Sequence, residues 1–296
     1  MADYEVVEDK SKLGVFLNPI SRDMQRVAVE IDRQIEAICS GQSPAAPYRE
    51  YVNSTVRHMF KAPGKLLRPA LVLLSAKAVA TDDRPSGDDL IKLATAVELI
   101  HSASLIHDDV IDLADSRRNQ TSVNLEFGNR SAVLVGDILY SQFFLLLTSL
   151  GEVPHQRRLK LLELFSGVTR EMCLGEIYEQ RIKKHALEPS FEEYAAVIEN
   201  KTAALMSMCC LSGAMLSDGD ESTLKALADF GLKLGMAFQI VDDCLDEDSV
   251  FEDGQFLLQK ARNYLDGAKA CAVILPKSTI QECLLLICDY VFARVA

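Results

Sequence analysis

Residues 88–112 read DDLIKLATAVELIHSASLIHDDVID, an apolar run that closes on carboxylates. Its apolar residues recur at helical spacing. The same rhythm returns in segment after segment and predicts helices near 18–40, 48–61, 64–80, 88–113, 130–150, 154–184, 190–216, 220–246, 252–272 and 278–294. No stretch keeps the period-2 alternation and β-branched enrichment of strands, so the expected fold class is all-α. Boundary chemistry agrees. Ser190-Phe191-Glu192-Glu193 has the order of a capping box, Gly151 and Gly219 sit where helices should end, and Pro154 and Pro189 suit helix starts. The helices at 64–80 and 195–216 are apolar nearly all round, as expected inside a large bundle of about ten or more helices. The run Ser131 to Leu150 is similar, and its excess apolar face suits the interface of a homodimer.

The chain has 296 residues, 49% of them hydrophobic, enough for one large core. Its turn-rich stretches, 41–47 and 82–89, are short enough to be loops, so residues 1–296 read as a single domain. With 43 acidic and 31 basic side chains the net charge is -12, which argues against nucleic acid and anionic membranes as partners. The eight cysteines fall mostly in apolar segments without metal-ligand pairing and read as reduced core residues. The acidic first ten residues lack a basic region leading into an apolar one, and unbroken apolar runs such as Phe143 to Leu147 are too short for a bilayer. A cytoplasmic protein without an integral membrane segment is the expectation.

Two acidic clusters carry the chemistry. Asp108 and Asp112 stand four apart, so they share a helix face, and His101, seven residues before Asp108, falls on it too. Adjacent carboxylates repel, and near a helix C-terminus they also oppose the macrodipole, unless a cation offsets them. Hard divalent cations with oxygen ligands do this; the alternative is a solvated helix end. In Phe238-Gln239-Ile240-Val241-Asp242-Asp243-Cys244-Leu245-Asp246, the polar residues Gln239, Asp242, Asp243 and Asp246 form a second stripe at i, i+3, i+4 and i+7. If the two helices pack side by side, the stripes face each other across a cavity and share metal ions.

Positive charge is placed to match. Lys65 and Arg68 lie in Gly64-Lys65-Leu66-Leu67-Arg68-Pro69, expected at the first turn of a helix where free N–H groups also favour an anion. Arg117 and Arg118 follow the first acidic cluster. Lys201 and Thr202 interrupt an apolar segment, where a charge without a partner is unfavourable. Singly these read as solvated or snorkelling cations. Together they describe an anion site beside a metal site.

These five elements, Gly-Lys-x-x-Arg-Pro, His-Asp-Asp-x-x-Asp, Arg-Arg, Lys-Thr and Phe-Gln-x-x-Asp-Asp-x-x-Asp, resemble in order and spacing the trans-isoprenyl diphosphate synthases, or polyprenyl synthetases, from about residue 18 to Asp246. The resemblance implies an isoprenoid-synthase helical bundle around a central substrate cavity. It implies that Lys65, Arg68, His101 and Arg118 bind isopentenyl diphosphate, and that Arg117, Lys201, Thr202 and Gln239 contact an allylic diphosphate. Asp108, Asp112 and Asp242 would bind Mg2+, three ions with substrate present, with Asp109, Asp243 and Asp246 in the same catalytic clusters. One departure stands out: the family continues after its second acidic cluster through a flexible stretch with a Gly-Lys pair, whereas here Asp246 runs directly into Glu247-Asp248-Ser249-Val250, so that the stretch is either deleted or belongs to the protein and is absent from this sequence. Two other readings fit parts of the pattern. A catalytically silent subunit regulating an active synthase would suit the missing stretch, and a class I terpene cyclase would share one aspartate motif.

Chain length has its own signal. Ala103 and Ser104 lie one turn before Asp108, where enzymes of this family that stop at fifteen carbons usually carry bulky aromatics. Small residues there predict products of twenty carbons or longer, with the stop set deeper, near Ile100, Val97 or Phe143. Ala103 and Ser104 would alternatively serve close helix packing.

Overall fold

The computed structural model describes residues 12–40, 46–62, 64–80, 87–185, 188–246, 251 and 253–294. The fold is all-α. The predicted helices are present as α2 (Ser21–Cys39), α3 (Ala46–Phe60), α4 (Leu67–Val79), α5 (Asp88–Ile111), α7 (Asn129–Thr148), α8 (His155–His185), α11 (Glu221–Asp246), α12 (Gly254–Val273) and α13 (Thr279–Phe292). The segment expected as one helix over 190–216 is instead α9 (Phe191–Ile198), a π-helical turn (Glu199–Ala203) and α10 (Ala204–Leu216). Sequence periodicity also missed α1 (Lys12–Leu17), α6 (Val123–Phe127) and a two-residue-a-side antiparallel hairpin, β1 (Ser116–Arg117) and β2 (Gln120–Thr121). These pieces are too short to establish a period. Residues 247–250 and 252, where the departure from the family pattern falls, lie outside the described residues.

Contacts divide the chain into two compact units. The first comprises Arg22–Ala70 and Pro85–Pro154. Within it, α5 packs on α7 and α6, and α3 on α6 and α7. The consecutive residues Leu93, Ala94, Thr95, Ala96 and Val97 are all fully buried, so α5 is a core helix on every face, as its composition requires. The buried carboxylate of Asp89 ties its start to the end of α7 by accepting the backbone N–H groups of Gly151, Glu152 and Val153 at 3.1, 2.7 and 3.1 Å. By length and composition alone, α5 and α7 could each cross a bilayer; 72% of the apolar window of α5 is buried in the protein, against 39% for α7. Counting unbroken apolar runs had overlooked both. On α7, Val133, Leu134 and Leu145 are exposed.

The second unit comprises Asp9–Ser21, Leu71–Arg84 and His155–Ala296. Here α11 packs on α12 and α10, the π turn packs on α8, α9 and α11, and α13 lies against α1 and α12. The capping box at the start of α9 forms as the sequence indicated, Ser190 accepting from the Glu193 N–H at 3.2 Å and Glu193 from the Ser190 N–H at 2.9 Å. All eight cysteines are free thiols. Cys209, Cys210, Cys283 and Cys288 are buried as expected, but Cys173 is exposed on α8.

A glycine permits a close backbone approach in this unit. A Cβ on Gly213 would lie 2.1 Å from the Val72 carbonyl oxygen, which is backbone and has nowhere to move. Gly213→Ala should therefore destabilise the protein by about 1–3 kcal/mol. At Gly167, inside α8, an added Cβ meets nothing within 4 Å. Gly167→Ala should stabilise by roughly 0.5–1 kcal/mol through helix propensity. Urea unfolding of the two variants beside the parent checks both signs.

Candidate active site

In the first unit, the basic residues gather near the middle and end of α5. Leu66 has φ +49°, so α4 begins only at Leu67; Lys65 lies before the helix and is exposed, while Arg68 falls in its first turn. Arg68 Nη1 lies 2.9 Å from His101 Nε2. An arginine only donates, so His101 Nε2 accepts and the ring proton sits on Nδ1. Burial, then the neighbouring Arg68 and Arg118, holds His101 well below its ordinary pKa and keeps it neutral. Arg118, with φ +52°, donates to the Ala62 carbonyl at 3.1 Å and lies so close to Gly64 that a Cβ there would fall 2.4 Å from its guanidinium. The glycine of the Gly-Lys element thus makes room for Arg118.

One turn before His101, Glu98 is 4% exposed, in the field of Arg118 and Arg68. Burial raises its pKa to about 7 against the pull of the two arginines. Reading the sequence missed Glu98, although a lone acid between Val97 and Leu99 was a signal that it needs partners.

The acidic end of α5 separates its carboxylates. Asp108 is half-buried and Asp112, the C-cap, is exposed, the Asp112 N–H donating to the Asp108 carbonyl at 2.8 Å. Asp109 turns the other way and is 1% exposed. Its Oδ1 accepts from Arg117, with Nε at 2.9 Å, whereas its Oδ2 is buried without a hydrogen-bond partner. Arg117 is thereby committed to Asp109. Ala103 is buried, and half-buried Ser104 donates to the His101 carbonyl at 2.8 Å.

In the second unit, the acidic stripe is tied to the π turn. Thr202 Oγ1 donates to Gln239 Oε1 at 2.7 Å, and Gln239 Nε2 to Asp243 Oδ1 at 2.8 Å. The other Asp243 oxygen accepts from the Tyr194 hydroxyl at 2.6 Å. Desolvation raises Asp243 to about 6, opposed by those hydrogen bonds and reinforced by Glu179 and Asp242. Lys201, on the π turn, reaches Glu176 at 2.7 Å and Glu179 at 2.5 Å. Asp242 pairs with Arg294 at 2.6 Å, and that guanidinium also lies 5.2 Å over the Phe238 ring. Asp246 ends α11; its side chain lies outside the description. Glu176, Glu179, Tyr194 and Arg294 had no part in the sequence reading, since each lies far along the chain from the residue it contacts.

Among the described residues, no group of three or more His, Cys, Asp or Glu side chains is assembled to hold a metal ion. The donor chemistry nevertheless fits Mg2+. That ion is commonly held by one or two carboxylates, completed by waters and substrate phosphates. Asp108 and Asp112, four apart at a helix end, and Asp242 are all-oxygen donors of this kind.

A polyprenyl synthetase family model matches residues 49–254, and the chain belongs to that family. It is 40% identical over 183 residues to octaprenyl diphosphate synthase of Haemophilus influenzae, covering 62% of this chain but 52% of that protein, so it spans about half of that relative's length. Geranylgeranyl pyrophosphate synthase of Geoglobus acetivorans is 31% identical over 91% of this chain and 75% of its own. Among solved structures, decaprenyl diphosphate synthase of Rhodobacter capsulatus aligns with a TM-score of 0.80 at 26% identity over 95% of this chain and 98% of its own. A Caulobacter crescentus polyprenyl synthase complexed with calcium and isoprenyl diphosphate gives 0.80 at 26% identity, over 96% and 98%.

The position of Glu98 generates a pH test. Its folded pKa of about 7 lies above the ordinary 4.5, so the fold favours the neutral acid. The resulting stability is fully present below about pH 4.5 and is lost as pH rises through 7, a loss on the order of 3 kcal/mol. Glu98→Gln stays neutral throughout. Its stability relative to the parent should rise between pH 4.5 and 7 and level off above, measured by urea unfolding at several pH values; a difference that does not change with pH refutes the assignment.

Proposed function

We propose that the protein catalyses the magnesium-dependent condensation of isopentenyl diphosphate with an allylic diphosphate, giving a trans-polyprenyl diphosphate of twenty carbons or more. The observation that carries this reading is α5, which bears His101, held by Arg68 in the field of Arg118, and then, two turns on, the Asp108 and Asp112 carboxylates. A diphosphate held by one and metal held by the other would be aligned along a single rigid helix. Relatives named octaprenyl and geranylgeranyl diphosphate synthases, and the calcium and isoprenyl diphosphate bound by the Caulobacter protein, support it.

In this reading Arg68, Lys65 and Arg118 bind the isopentenyl diphosphate, with His101 fixing Arg68. Asp108, Asp112 and Asp242 hold Mg2+, three ions with substrate present, and Lys201, Thr202 and Gln239 contact the allylic diphosphate. When bound, the metal neutralises charge that develops on departing pyrophosphate. The cationic side chains orient the two substrates and share that electrostatic work. Asp109 and Asp243 support the clusters, the first through Arg117. The reading extends to one catalytic domain, a cytoplasmic location and a homodimer formed through the exposed apolar face of α7.

Radiolabelled isopentenyl diphosphate, incubated with the protein, Mg2+ and a set of allylic primers, should be incorporated, and chelation should abolish incorporation. Asp108→Asn and Asp242→Asn should each lower the rate by roughly two orders of magnitude or more with helix content unchanged by circular dichroism. Full activity of either variant in excess chelator would sink the metal assignment.

Product length tests the wall of α5 separately. Ser104→Phe or Ala103→Phe should shorten the product while metal-dependent condensation continues, read by chromatography of the dephosphorylated chains. A parent product of fifteen carbons, or an unchanged product in both variants, would remove this turn from the path of the growing tail.

A further inference from the structure

Tyr194 is 1% exposed on α9, and a buried phenol hydroxyl needs a hydrogen-bond partner. It takes one oxygen of Asp243 at 2.6 Å, while the other oxygen takes Gln239 at 2.8 Å and Gln239 in turn accepts from Thr202 at 2.7 Å. Both carboxylate oxygens of Asp243 are thus spent on protein donors. The consequence is that α11 is fastened at two points to one stretch of chain, by Tyr194 one helical turn before the π turn and by Thr202 within it. The neighbouring Lys201 is held from α8 by Glu176 and Glu179. Backbone contact removes the remaining slack: a Cβ on Gly175 would lie 2.9 Å from the Lys201 nitrogen, and one on Gly235 2.6 Å from the Ala203 Cα.

We infer that Tyr194 is a positioning residue, which through Asp243 and Gln239 fixes Lys201 and Thr202 against the acidic stripe of α11. Asp243 is then the anchor of this link, whereas its neighbour Asp242, the carboxylate assigned to the metal above, is paired with Arg294 at 2.6 Å. The inference rests on the diphosphate reading above and deepens it by giving Asp243 a role of its own beside Asp242. Losing the hydroxyl should loosen the register between the cation that meets the allylic diphosphate and the carboxylate that meets its metal. The isopentenyl diphosphate residues belong to the first unit and have no share in the link.

Tyr194→Phe removes one oxygen and keeps the ring, so it is the variant of choice. Calorimetric titration of the full chain with inorganic pyrophosphate in Mg2+ gives a readout independent of turnover, and steady-state kinetics give the Michaelis constants. Pyrophosphate affinity should fall about tenfold, the Michaelis constant for the allylic primer should rise by a similar factor, and that for isopentenyl diphosphate should change by less than about twofold. Combining Tyr194→Phe with Thr202→Val should lose less affinity than the product of the two single losses, because both act through one chain of hydrogen bonds. Unchanged pyrophosphate affinity in Tyr194→Phe overturns the inference. So do equal losses for both substrates that track a fall in Tm, or losses that multiply fully in the double variant. A parent protein that neither binds pyrophosphate nor condenses the substrates overturns the functional reading itself, whereas an active parent beside an unaffected variant overturns the positioning role alone.

Discussion

A carboxylate at the end of an apolar helix has to find positive charge or hydrogen-bond donors, and much of the local architecture follows from how each one does so. Asp109 draws Arg117 of the β1–β2 hairpin onto the end of α5, which gives a two-stranded turn a fixed place in an otherwise helical unit. Asp243 draws the Tyr194 hydroxyl and Gln239, joining α9 to α11. Asp242 takes Arg294 from beyond α13. Asp89 meets the same demand without a cation, through three backbone N–H groups. Asp108 and Asp112 lie at the less buried side of α5.

The same constraint explains which parts of the molecule were legible in the sequence. Helices long enough to repeat a hydrophobic period were readable, and so was the capping box at Ser190, because both signals are local. The second acidic stripe was readable as one line on α11 for the same reason. Spacing alone does not distinguish adjacent aspartates, which only the family resemblance separates, and Asp242 as well as Asp109 and Asp243 meets a protein partner. The partners themselves, Glu176 and Glu179 for Lys201 or Arg294 for Asp242, come from segments 22 to 52 residues away, and no spacing rule links them. The π turn was invisible because its composition is that of any helix.

Glycine placement links packing to the site. Gly64, Gly175 and Gly235 each stand where a methyl group would strike, respectively, the Arg118 guanidinium, the backbone at Lys201 and that at Ala203. None has a positive φ. They serve by what they lack, letting elements that carry functional cations approach more closely than any side chain would permit.

The π turn at Glu199–Ala203 also bears on how such a site diverges. A turn of this kind holds one residue more than an α-turn needs, so α9 and α10 run on either side of a supernumerary residue. Because the wide turn absorbs the extra residue, deleting one residue there would leave an uninterrupted α-helix with Tyr194 and α10 facing much as they do now, whereas the same deletion inside α9 or α10 would rotate everything beyond it by about 100° and shift it by about 1.5 Å. Only the stretch that carries Lys201 and Thr202 would be redrawn. A descendant that lost the supernumerary residue would keep its flanking contacts while changing how those two side chains are presented.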